Sequence, residues 1–230
     1  MGSGHAARTV NIAFKIVLIL VIASGVITEL ARTDSAYGFF NTFFFFTYQS
    51  NLIVLAVAVY GVYRLLANRP ERRLGTLIRN GAVLWILITC LVYNFMLGGP
   101  FKHTGPAAWV SWSLHYIAPL LTVLNWLFFE EKGKSRYVDT VLWLIYPLAY
   151  AAVAEARYAL DRFAPYWFLD PGRPSPKGAG SIWTVLAIIG AMLVFFGLLG
   201  LLIIRIDRFW KKKAQAAASG PAAEINAKGD

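Results

Sequence analysis

The stretch SIWTVLAIIGAMLVFFGLLGLLIIRI, residues 181–206, decides the fold class of this chain. Its first 24 residues contain no Asp, Glu, Lys or Arg. A helix needs roughly 20 consecutive apolar residues to cross about 30 Å of hydrocarbon, so this stretch is long enough to span a membrane. Its apolar side chains surround the helix instead of following one face, which indicates a membrane-spanning helix and not an amphipathic surface helix.

Five further apolar stretches of similar length precede this one along the chain. The six predicted spans are about 11–31, 40–65, 76–97, 108–129, 139–158 and 181–206. Of the 230 residues, 58% are hydrophobic and only 15% are charged, whereas about a quarter of a globular chain is charged. This composition excludes intrinsic disorder and argues against an ordinary soluble enzyme. We therefore expect an all-α, polytopic membrane protein with six transmembrane helices.

The basic residues predict the orientation of these helices. If the N-terminus lies in the cytoplasm, 16 of the 22 Lys and Arg residues fall on the cytoplasmic side. Because positive charge is retained there, both termini are predicted to be cytoplasmic. The net charge of +10 then reflects topology and requires no nucleic-acid partner. The predicted organisation is an N-terminal tail (1–10), a transmembrane domain (11–206) and a basic, disordered C-terminal tail (207–230).

Polar side chains inside the predicted spans form a second pattern. They are Thr47, Ser50 and Asn51 in the second span, Tyr93 and Asn94 in the third, His115 in the fourth, and Glu29 and Glu155 near the ends of the first and fifth. At a rise of ~1.5 Å per residue, Thr47 and His115 each lie about 10 Å inside the outer end of their helix. Because polar groups are costly in a bilayer, this shared depth predicts a polar cavity in the outer leaflet.

Thr47 and His115 are chemically compatible as a catalytic pair. A threonine hydroxyl needs an adjacent base to become a nucleophile, and a neutral imidazole is the usual one. Attack on an ester would give an acyl-threonine, with Ser50, Asn51 or Asn94 as candidate donors to the oxyanion. Pro119 lacks the N–H that would bond the carbonyl of His115, so we expect a kink beside the histidine and a free carbonyl there.

Three segments resemble the signature regions of the androgen-induced family of multi-pass membrane hydrolases, and more closely those of its prokaryotic relatives. They are FFFFTYQSNLIV (43–54), LHYIAPLLTVLNW (114–126) and APYWFLDP (164–171). The resemblance implies a threonine hydrolase that cleaves fatty acid esters of hydroxy fatty acids, with Thr47 as nucleophile and His115 as its histidine. It also implies a bacterial plasma-membrane protein. Ser50 and Asn125 stand where family members commonly have acidic residues.

Other interpretations of the same residues stay open at this point. Glu29, His115 and Glu155 at one depth also suit a proton-linked small transporter, or a membrane protein that binds a lipid or ligand without chemistry. Both glutamates are also close enough to the interface to be hydrated, or paired with Arg32 and Arg157. A purely structural role for the polar residues is a third possibility. The expected partners are membrane lipids or fatty acyl esters.

The sequence predicts no metal site and no cofactor. The single cysteine, Cys90, excludes an intrachain disulfide and a thiolate zinc cluster, and the three histidines are too scattered to indicate a metal centre. The aromatic stretch FAPYWFLDP (163–171) is typical of a belt at the membrane interface, and is equally suited to form a lid over the predicted cavity.

Overall fold

A computed structural model describes the backbone of residues 2–226 and the side chains of residues 5–213. Within these residues the chain forms helices joined by loops and turns, with no strand. The helices are α1 (Gly2–Leu30), α2 (Ala36–Thr42), α3 (Phe46–Leu66), α4 (Arg73–Met96), α5 (Gly105–Trp112), α6 (Ala118–Phe129), α7 (Val138–Asp161) and α8 (Ile182–Asn226). A π-helical turn, Ser113–Ile117, joins α5 to α6. Short 3₁₀ turns occupy Pro100–Lys102 and Trp167–Leu169.

The all-α fold with six helices of membrane-spanning length and hydropathy is confirmed. These spans are His5–Leu30, Phe46–Leu66, Arg73–Met96, Gly105–Phe129, Val138–Asp161 and Ile182–Lys213. The fourth span consists of α5, the π-helical turn and α6, which follow one another without a loop. The protein is therefore an integral multi-pass membrane protein.

The start of the second span differs from the prediction of residue 40. The chain first forms the short helix α2, breaks at 43–45 and begins α3 only at Phe46. Phe45 has an extended backbone, and its ring packs edge-on against Phe163 and Tyr166, with centroids 6.1 and 5.7 Å away. Because the residues on both sides of the break are equally apolar, hydropathy does not detect it.

Both predicted tails are helical where the structure describes them. Helix α1 already begins at Gly2, and α8 continues to Asn226 through most of the segment predicted as a disordered tail. The segment KKKAQAAA, residues 211–218, consists of strong helix formers, which explains why the helix does not end at residue 207. Residues 227–230 of the predicted tail lie outside the described part of the chain.

Contacts between helix ends define two ends of the bundle. At one end, which we call the basic end, the 67–72 and 130–137 loops meet the start of α1 and the later part of α8. There the Ser135 N–H donates to Asp207 Oδ2 at 3.2 Å. At the opposite end Arg157 donates to Asn41 Oδ1 at 2.5 Å, and Trp167 Nε1 donates to the Met96 carbonyl at 3.1 Å. The assignment of the basic end to the cytoplasm stays a prediction.

Helix α1 packs directly against the π-helical turn of the fourth span. Leu18, Ile22 and Val26 of α1 are almost fully buried in this contact with α3 and the fourth span. Gly25 makes the close approach possible, because a Cβ at this position would lie 2.7 Å from a methyl carbon of Leu114. The histidine next to Leu114 is thus held on a closely packed surface and not on a mobile loop.

Candidate active site

Thr47 and His115 lie in hydrogen-bonding contact. Thr47 Oγ1 is 3.2 Å from His115 Nε2, and the two residues are 7% and 9% exposed. Thr47 is the second residue of α3, so it lies at a helix N-terminus and not two turns inside the span as predicted. His115 lies in the middle of the π-helical turn.

The second ring nitrogen of His115 fixes the direction of this hydrogen bond. Nδ1 lies 3.1 Å from the carbonyl oxygen of Ser111. A carbonyl only accepts, so Nδ1 carries the hydrogen and Nε2 of the neutral ring presents a lone pair to the Thr47 hydroxyl. The Tyr93 ring stacks on the imidazole with centroids 3.7 Å apart and planes 20° apart. A backbone carbonyl thus orients the imidazole, much as a third side chain orients the histidine of a catalytic triad.

Pro119 and the π-helical turn together leave one backbone carbonyl without a helical donor. The Ala118 N–H donates to the Ser113 carbonyl, five residues earlier. The next donor in this i to i−5 pattern would be the N–H of residue 119, which proline lacks. The carbonyl that lacks this donor is therefore that of Leu114, one residue before the His115 carbonyl that the prediction named.

Asn51 supplies the missing hydrogen bond. Its side-chain nitrogen donates to the Leu114 carbonyl at 3.1 Å and to the Thr47 carbonyl at 2.8 Å. Asn51 is fully buried, so both amide hydrogens are used within the protein. This one side chain therefore links the backbone beside the threonine to the backbone beside the histidine.

The side chains predicted to bind an oxyanion are engaged elsewhere. Ser50 Oγ donates to the Thr47 carbonyl at 3.1 Å and lies 2.7 Å from Thr89 Oγ1. Both amide hydrogens of Asn51 are already donated to the Thr47 and Leu114 carbonyls. Asn94 is exposed and accepts a hydrogen bond from the Tyr116 hydroxyl at 3.1 Å. Ser50 and Asn51 therefore hold the backbone at Thr47, and none of the three lies ready to bind an oxyanion.

The start of α3 offers other donors that the sequence analysis missed. Phe46 and Thr47 form the first turn, where N–H groups have no helical acceptor, and no side chain caps them. The Tyr166 hydroxyl lies beside them. Burial raises the pKa of Tyr166, while the nearby Thr47 side chain and the amides of Thr47 and Phe46 oppose that rise. Only the break before Phe46, which hydropathy does not detect, creates this group of donors.

A small cavity lies next to the Thr47 hydroxyl. Its volume is about 60 Å³, which is room for about two water molecules. Its lining includes Thr47, Thr89 and Tyr93, together with Tyr166 and Phe168 of the aromatic segment. Most of its wall is apolar, which corrects the prediction of a polar cavity. The segment 163–171 therefore borders the cavity, which is compatible with the lid interpretation.

An apolar groove of about 300 Å³ adjoins this cavity between α4 and α8. Val92, Met192 and Phe196 line both spaces. The groove also contains Phe95, which is 77% exposed on the surface that faces lipid. The cavity and the lipid-facing groove thus share a wall formed by Val92, Met192 and Phe196.

Neither of the two predicted pocket acids lines the cavity. Glu29 forms an ion pair with Arg32 at 2.5 Å, near the end of α1. Glu155 does not pair with Arg157, which binds Asp161 at 3.2 Å instead. Among the described residues, no hydrogen bond or ion pair joins Glu29, His115 and Glu155 to one another.

Comparisons of this chain with protein-family models, with curated proteins and with solved structures find no match. The resemblance to the androgen-induced family therefore stays a prediction from three short motifs.

Proposed function

We propose that this protein is an intramembrane hydrolase that cleaves a lipid ester, with Thr47 as nucleophile and His115 as general base. The observation that supports this most is the 3.2 Å contact between Thr47 Oγ1 and a histidine nitrogen whose lone pair faces the hydroxyl. The family motifs suggest fatty acid esters of hydroxy fatty acids as the substrate. We also assign the protein to the bacterial plasma membrane on the same motifs.

In the proposed reaction, His115 Nε2 takes the hydroxyl proton as Thr47 Oγ1 attacks the ester carbonyl carbon. The amides of Phe46 and Thr47, the Tyr166 hydroxyl and the positive end of the α3 dipole would stabilise the oxyanion. The oxyanion collapses, the C–O bond of the ester breaks, and His115 returns the proton to the leaving alcohol. His115 then deprotonates a water molecule that cleaves the acyl-threonine, and the carboxylic acid is released.

The acyl chain would lie in the groove between α4 and α8. The cavity beside Thr47 is too small for a chain, whereas the adjoining groove is apolar and opens to the lipid-facing surface. A substrate dissolved in the bilayer could enter there without crossing water. The reacting ester would then lie beneath Tyr166 and Phe168, where bulk water has little access.

An activity probe tests this proposal. A fluorophosphonate reagent should label the wild-type protein in membranes, and should not label Thr47→Ala or His115→Ala. Thr122→Ala is the matched control, because Thr122 is a buried threonine of the fourth span whose hydroxyl donates to the Ala118 carbonyl at 2.7 Å. This control should be labelled like the wild type. Equal labelling of all four proteins, or labelling of none, would contradict the proposal.

A further inference from the structure

A second and larger cavity lies at the basic end of the bundle. Its volume is about 480 Å³, and α1, α3, α4 and α6 form its walls. Arg64, which lines it, is 17 residues after Thr47 on α3, a separation of about 25 Å along the helix. No described residue lines both this cavity and the one at Thr47. The second cavity is therefore separate from the proposed active site.

Three cations in this cavity share two carboxylates. Lys15 Nζ is 2.5 Å from Glu130 Oε1, and an Arg79 nitrogen is 2.8 Å from Glu130 Oε2. Arg79 also contacts Glu71 directly. Arg64 lies farther from both carboxylates, at 3.6 Å from Glu71 and 4.0 Å from Glu130. Arg64 is thus the cation that the two glutamates compensate least.

Positive charge exceeds negative charge among these residues. Three cations face two carboxylates, and Arg72 adds another cation at the rim. Burial alone would raise the pKa of Glu130, but Arg79 and Lys15 lower it to about 2, so its charge is already present at neutral pH. Uncompensated charge is costly away from water, and an anionic ligand would relieve that cost.

Arg64 has the geometry to bind such an anion. Its Nε atom is shielded from solvent and has no hydrogen-bond acceptor among the described residues. A guanidinium group binds phosphate with several parallel N–H donors. The rest of the cavity wall is largely apolar and includes Leu18, Ile53 and Val57. A basic group beside an apolar wall suits an amphiphile better than a free inorganic anion.

We propose that this cavity binds the phosphate headgroup of an anionic membrane lipid, with Arg64 as its principal ligand and an acyl chain along the α3 wall. Basic pockets between transmembrane helices bind lipid headgroups in this way. The proposal does not depend on the hydrolase reaction, because it concerns a different cavity and predicts binding, not turnover.

Thermal unfolding of the purified full-length protein in detergent tests the headgroup. Dioleoyl phosphatidylglycerol should raise the midpoint of unfolding more than dioleoyl phosphatidylcholine does. Arg64→Gln should weaken the apparent affinity for phosphatidylglycerol by about tenfold, the scale of one hydrogen bond to a charged group. Arg69→Gln, which removes the same charge from an exposed position five residues away, should behave like the wild type.

A second pair of variants tests the apolar wall without changing any charge. Ala56→Trp should fill the cavity and weaken phosphatidylglycerol binding, whereas Val59→Trp, on the same helix but outside the cavity lining, should not. Equal responses to the two lipids, or equal loss in Arg64→Gln and Arg69→Gln, would overturn the proposal. An Arg64-dependent response to inorganic phosphate alone, as large as that to phosphatidylglycerol, would overturn the assignment to lipid.

Discussion

Among single residues, Tyr166 offers the sharpest test of the proposed oxyanion site, because its hydroxyl is one of the proposed donors. This hydroxyl lies beside the first amides of α3, and Tyr166→Phe removes a donor while it keeps the ring that lines the cavity. Loss of one such donor typically lowers kcat by about 10²–10³-fold, so we expect a fall of that order. Tyr146→Phe is the control, because its hydroxyl donates to Gln49 at 3.1 Å and not to the cavity. Equal kcat values for the two variants in an ester-hydrolysis assay would contradict the role of Tyr166.

The ion pairs of Glu130 predict how the stability of the folded protein depends on pH. The pKa of Glu130 is lowered from 4.5 to about 2 in the folded protein, because Arg79 and Lys15 outweigh the effect of burial. A lowered carboxylate pKa stabilises the folded state above the unfolded pKa, and this stability is lost as the pH falls from 4.5 towards 2. Over that interval, the unfolding midpoint of the wild type should therefore fall more steeply than that of Glu130→Gln. Glu131→Gln, at an exposed neighbouring position, should retain the wild-type slope.

At the scale of helices, the groove between α4 and α8 predicts how substrate length affects activity. Ala191 lines this groove on α8, and Ala191→Trp should obstruct it. We expect the variant to lose activity on long-chain esters and to retain most of its activity on a short-chain ester, because only the long chain needs the groove. Val194→Trp, at a lipid-exposed position outside the groove, is the control. Equal loss on both esters would show that the substitution acts on the site itself and not on chain entry.

At the scale of the whole molecule, the distribution of charge predicts the orientation in the membrane. Arg69 lies at the basic end and Arg173 at the opposite end, and both are exposed. In a Cys90→Ser background, a membrane-impermeant maleimide added to intact cells should label Arg173→Cys and spare Arg69→Cys. After lysis both should be labelled. The reverse pattern in intact cells would place the basic end outside and would contradict the predicted topology.

The sequence by itself determined the number of membrane crossings and directed attention to two residues of the site. The bilayer requires long, continuous apolar helices, so stretches such as 181–206 are visible in composition alone. Thr47 and His115 stand out because polar groups are rare and costly in such helices. The apolar spans and the rare polar residues within them both reflect whether each side chain prefers lipid or water. That preference can be assigned from the sequence one residue at a time.

The tertiary structure decided what surrounds those residues. The break before Phe46 makes Thr47 the second residue of a helix, and aromatic packing from Phe163 and Tyr166 stabilises that break. The donors at the helix start and the amide bridge from Asn51 follow from contacts between distant segments, and that bridge satisfies the Leu114 carbonyl, which the local π-helical turn leaves without a helical donor. Hydropathy measures the preference of each residue for lipid over water. It does not show which neighbouring group a side chain or a backbone carbonyl contacts. That is why the partners of the site emerge only when the helices are packed together.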